Sequence, residues 1–146
     1  KEGFLYPAVD NEKCIRCHKC ERVCPIGVLI NYNNETKTFI GYNKNEEIRE
    51  KSSSGGIFSL AAEWIIEQNG VVFGAAFDEN FEVCHIAAEN EEELSKLRGS
   101  KYVQSRLDDT YPLVKQYLEG NRKVLFTGTA CQIAGLKKYL NKEFPV

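Results

Sequence analysis

The sequence predicts a mixed α/β (α+β) fold in which a short cysteine-rich loop precedes a mixed sheet packed with helices. Three observations carry this expectation. Four of the six cysteines crowd into residues 14–24, leaving no room for regular structure between them. Beyond residue 54, helical and strand-like apolar patterns alternate along the chain. Two small, glycine-bearing turns, at residues 52–56 and 127–131, each open a predicted helix.

The first segment, residues 1–31, is defined by Cys14, Cys17, Cys20 and Cys24, followed by Pro25. This is C-x2-C-x2-C-x3-C-P, the spacing by which ferredoxin-type segments hold cubane 4Fe-4S clusters. Thiolates at Cys14, Cys17 and Cys20 can wrap one cubane within a single loop. In two-cluster ferredoxins the fourth cysteine serves the other cluster, and the proline turns the chain away. No second run of this kind occurs in the 146 residues, so one cluster or two is left open. A structural zinc site normally gathers its ligands as two separated pairs, and a disulfide framework needs loops to close; neither suits this crowding. Electron transfer is the reading that the spacing favours.

Residues 32–51 read as a polar connector with one strand-like patch at Phe39 and Ile40. The third segment, residues 52–146, begins with a helix over residues 57–68, whose Ser59, Glu63 and Glu67 form a polar stripe on an otherwise apolar, largely buried surface; Trp64 is expected in the core. Residues 71–77 and 81–88 are expected as a hairpin closed by residues 78–80. Cys84 and His85 then point to opposite faces and form no joint site. Asn90 caps a helix running through Leu97. Asp108 or Asp109 caps another, with Pro112 in its first turn, Leu113, Val114, Tyr117 and Leu118 on one face, and Gly120 as its stop. Residues 124–126 are expected as a buried strand, before a last helix carrying Ile133, Leu136 and Leu140.

A net charge of -2 and a pI near 5.8 give no drive toward nucleic acid. No apolar run approaches the ~18 residues of a membrane span. Around the cysteines, Lys13, Arg16, Lys19 and Arg22 can offset a negative cluster, dock an acidic redox protein, or simply be solvated. The chain opens on Lys1 and contains no methionine, which reads as a fragment, and its clusters and thiols favour a cytoplasmic setting.

Two corners offer free backbone N–H groups to an anion. In the first, Ser53, Ser54, Gly55 and Gly56 combine hydroxyls and close backbone approach at a helix N-terminus, with simple serine capping as the alternative. In the second, Thr127, Gly128 and Thr129 turn from strand to helix, the kind of corner at which open α/β sheets bind ligands. Cys131, near that helix start, is expected to have a lowered pKa; it reads as a cluster ligand, redox thiol or flavin neighbour, or as a buried core cysteine.

Residues 3–7 (GFLYP), 53–56 (SSGG), 71–77 (VVFGAAF), 97–105 (LRGSKYVQS) and 128–135 (GTACQIAG) together resemble the coenzyme F420 hydrogenase/dehydrogenase beta-subunit family, in order and over nearly the whole chain. The resemblance implies an oxidoreductase that carries FAD with 4Fe-4S clusters and passes electrons between a deazaflavin or similar small-molecule acceptor and a partner redox protein or subunit. It also implies a fragment, without the upstream four-cysteine motif and the C-terminal half that many relatives have. It makes Ser100, Lys101, Gln104 and Ser105 flavin or substrate contacts, with Lys101 on a pyrophosphate or a reduced, anionic flavin. Lys101 and Cys131 are then the catalytic candidates. A flavin-free electron carrier, and a structural metal-binding fragment, are the alternatives from other classes.

Overall fold

The computed structural model describes residues 6–24 and 37–144. Gly3, Phe4 and Leu5, Pro25, and the boundary between residues 31 and 32 lie outside the described residues. The elements run α1 (Lys19–Val23), α2 (Glu46–Glu50), α3 (Ile57–Glu67), β1 (Val71–Phe77), β2 (Val83–Ala88), α4 (Glu91–Leu97), α5 (Thr110–Glu119), β3 (Val124–Phe126) and α6 (Ala130–Leu140). They form a three-stranded mixed sheet of order β2-β1-β3 with helices on both faces.

β1 is the centre of the sheet because its residues are apolar or small on both faces. It pairs antiparallel with β2, Val72 opposite Ala88 through Phe77 opposite Val83, and parallel with β3, Val71 opposite Val124. Alternation along β1 sends Val72 and Ala76 toward Ala62, Ile65, Leu94 and Leu97 of α3 and α4. Val71 and Phe73 pack instead with Val114 and Leu136 of α5 and α6. Ile86 joins the first cluster and Ala87 the second, so Cys84 and His85 lie on opposite faces as expected.

Several expectations need correction. The patch at Phe39 and Ile40 pairs with no strand among the described residues, and Ile40 is fully exposed. The connector instead contains α2, capped by the Asn45 side chain accepting from the Ile48 N–H. β2 begins at Val83, because Asp78 accepts from the backbone of Asn80 and Glu82 and holds Phe81 in a turn with φ 58°. β3 is half-buried, being an edge strand. Asp109 occupies the α5 N-cap position without a side-chain bond, while Asp108 pairs with Arg106. Leu113 and Ile133 lie at partly exposed rims of their helices.

α3 is turned from its expected orientation. Ile57, Leu60 and Trp64 face outward, Trp64 at 53% exposure with the Lys123 ammonium 4.9 Å above its ring. Ser59 is fully buried instead. The cause is Arg98, which leaves the end of α4 and donates to Ser59 Oγ at 3.0 Å and Glu63 Oε1 at 3.2 Å. A nearly buried guanidinium requires such acceptors, and two of the three polar positions of the stripe supply them.

Candidate functional site

The three predicted cofactor segments come together in space. Ser53, Ser54, Gly55 and Gly56, Ser100 and Lys101, and Thr127 and Gly128 line one open cleft of about 540 Å³, floored by Ala75 and Leu97. The first segment is bound to the second by the Ser100 N–H donating to Ser53 Oγ at 2.7 Å. The third is fixed to the sheet, Thr127 donating from both its N–H and its Oγ1 to the Phe73 carbonyl.

The turn before α3 is dictated by its glycines. Gly56 is the N-cap with φ 74°, a left-handed conformation, and a Cβ on Gly55 would lie 2.8 Å from the Gly41 carbonyl. No side chain caps α3, and the residues that open it, Gly56, Ile57 and Phe58, line the cleft together with the serines before them. Capping by serine, the alternative reading, is thereby ruled out. Asn43, which the sequence reading missed, holds this turn: its N–H donates to the Gly55 carbonyl at 2.6 Å, and its own carbonyl accepts from Arg49. Only its being buried gives it away, and sequence carries no such signal in a polar connector.

Lys101 lines the cleft but folds its ammonium back onto the end of α4, donating to the carbonyls of Arg98 at 2.8 Å and Lys96 at 3.1 Å. Burial pushes its pKa below the ordinary lysine value. Gln104 and Ser105 are not among the lining residues. Ser105 is buried and accepts from Gln132 Nε2 at 2.9 Å, while Gln132 Oε1 accepts from the Thr129 N–H at 2.9 Å. Ser105 therefore braces the start of α6, and Thr129 is its N-cap in a capping box. Cys131 is exposed, not a core cysteine, and its Sγ lies 3.1 Å from Thr129 Oγ1.

At the other end, Cys14, Cys17 and Cys20 are exposed and Cys24 is half-buried; all are unpaired thiols. Left-handed residues at Arg16 (φ 54°) and His18 (φ 56°) alternate with Cys17 and curl the loop. Arg22 donates to the Cys17 carbonyl at 3.1 Å, and Lys13 pairs with Asp10. Among the described residues no three candidate ligands converge as a metal-ready group. The donor set, four free thiols spaced for one loop, nonetheless fits an iron-sulfur cluster.

Residues 7–30 match a 4Fe-4S binding domain. Residues 38–110 match the N-terminal model of the coenzyme F420 hydrogenase/dehydrogenase beta subunit. The chain belongs to the coenzyme F420 hydrogenase/dehydrogenase beta-subunit family. It is also similar to the coenzyme F420-dependent sulfite reductase of Methanocaldococcus jannaschii, 29% identical over an alignment of 170 positions that covers 94% of this chain. The chain spans 27% of that relative's length. The family model covers the connector from residue 38, α3, the hairpin, α4 and the loop through Ser105, so two of the three cleft segments lie in this beta-subunit region. No helix among the described residues is long and apolar enough to cross a membrane.

Proposed function

We propose that this beta-subunit-family chain is part of an iron-sulfur flavoprotein oxidoreductase, passing electrons between a 4Fe-4S cluster on Cys14, Cys17 and Cys20 and FAD in the cleft. From there they pass to a deazaflavin such as coenzyme F420 or a similar small acceptor, with a partner redox protein or subunit at the cluster end. The observation that carries this reading is the convergence of three polar, glycine-bearing segments, separated by many residues in sequence, on one cleft at an uncapped helix N-terminus.

A bound flavin supplies the conversion between one-electron and two-electron transfer. The chain's own residues bind and orient. The N–H groups opening α3 and the hydroxyls of Ser53 and Ser54 receive a phosphate, where the helix dipole favours negative charge. Lys101, released from the α4 carbonyls, adds an ammonium to the same anion. Thr127 and Gly128 add a third lining segment, where a side chain at Gly128 would meet Gln132. Cys131, exposed at the start of α6, follows Gly128 in the chain and is not itself among the lining residues.

The test is a visible spectrum of the chain purified anaerobically, followed by titration with FAD. A broad sulfide-to-iron band bleached by dithionite, together with saturable flavin binding, is the expected result. A cluster without flavin binding overturns the flavoprotein reading and leaves an electron carrier. A colourless chain that takes up neither overturns both parts.

A further inference from the structure

α6 touches both ends of this chemistry. Its N-cap, Thr129, follows directly on Thr127 and Gly128 at the cleft wall. Its last turn carries Lys138, whose ammonium donates to the Cys24 carbonyl at 2.9 Å, and α1 packs against the same helix. The four cysteines are not equivalent: Cys24, the one held by α6, is half-buried, while Cys14, Cys17 and Cys20 are exposed. From Thr129 to Lys138 the helix rises about 14 Å at 1.5 Å per residue.

We propose that Lys138 is a positioning residue that fixes the Cys24 end of the cysteine segment on α6 and adds a positive charge to that segment, raising the reduction potential of the cluster the segment holds. α6 thereby also spans from the cleft-side turn at Thr129 to the Cys24 end of the segment. The inference rests on the cluster part of the proposed function, not on the flavin. Reduction adds one electron, and so one negative charge, to a cluster that thiolates already make anionic. A nearby ammonium favours that added charge, and net charge and hydrogen bonding are among the quantities that set cluster potentials. Lys138 is suited to the task because its ammonium is fixed by the Cys24 carbonyl rather than swinging free in solvent.

The experiment uses the whole chain with its cluster assembled anaerobically, titrated with dithionite and followed by electron paramagnetic resonance. The variants are Lys138→Met, which keeps the length but not the charge, and Lys138→Arg, which keeps both charge and donor. Lys138→Met is expected to shift the reduction equilibrium toward the oxidised cluster on the order of tenfold, about 59 mV lower for a one-electron couple. Lys138→Arg is expected to stay close to the parent chain. A loss of cluster in Lys138→Met that Lys138→Arg restores also supports the positioning role. Equal potentials in the parent chain and Lys138→Met, at equal iron content, overturn it. A parent chain that assembles no cluster overturns the cluster reading and this inference together, whereas failure to bind FAD leaves the inference standing.

Discussion

At the residue scale, the fate of each polar group follows from who reaches it first. Lys101 is the clearest case, because its ammonium now satisfies two carbonyls at the end of α4 and its burial already disfavours charge. Substituting Lys101→Met is expected to weaken flavin binding roughly tenfold, the scale of one charge-assisted hydrogen bond. A fluorescence titration with FAD checks this, and unchanged affinity would remove Lys101 from the site. His85 supplies a second prediction. Its Nε2 meets the Thr127 carbonyl at 3.0 Å, and since a carbonyl only accepts, Nε2 carries the proton. Its ring stacks on Phe126, and its Nδ1 is buried without a partner. Burial lowers its pKa, opposed by the Thr127 bond. The unfolded chain therefore binds a proton that the folded one resists, and stability falls as pH drops below the ordinary value of 6.5, until the folded ring also protonates. In urea unfolding at pH 7.5 and 5, the parent chain is expected to lose more stability than His85→Gln. Equal losses would mean that His85 charges without penalty.

At the scale of elements, β1 and its neighbours were legible because their patterns answer to local rules. A seven-residue apolar run bounded by Asn69-Gly70 and Asp78 leaves little choice but a central strand, and Asn90 caps α4 by accepting from the Glu93 N–H, as its position predicted. The rotation of α3 was not legible, because it depends on Arg98, 35 residues beyond Glu63 in the chain. A helix with apolar residues most of the way round has no unique inner face until a buried cation selects the polar one. The same limit applied to the cleft: its glycines and serines were readable one segment at a time, but Ser105 and Thr129 turned to bracing because Gln132 comes between them. Gly74 ties strand to cleft, since a Cβ there would lie 2.9 Å from Thr127 Oγ1 and 3.3 Å from Leu97 Cδ1. Gly74→Ala is therefore expected to cost about 1–3 kcal/mol by overpacking and to displace Thr127 from the Phe73 carbonyl. Denaturant unfolding checks the first, and loss of flavin affinity at native-like temperature the second. By contrast Leu60→Gln, on the outward face of α3, should fall within about 0.5 kcal/mol of the parent chain.

At the scale of the whole molecule, the cysteine segment and the α/β body are stabilised by different means. Every residue of the two apolar clusters lies between Phe58 and Leu140. Residues 6–24 add none, and what joins them to the body includes the packing of α1 on α6 and the bond from Lys138 to Cys24. Small metal-dependent domains are unfolded without their metal because the metal replaces a core they do not have. Here the body has its own core, so the chain should behave as a stable α/β unit carrying a metal-dependent appendage. Substituting Cys14→Ser or Cys17→Ser is expected to abolish the visible iron-sulfur band while the main thermal transition, followed by far-ultraviolet circular dichroism, moves by less than about 4 °C, the scale of 1 kcal/mol for a chain of this size. Coincident loss of the band and of the fold would place the cysteine segment inside the cooperative unit, and α6, through Lys138, would be the element through which the two are coupled.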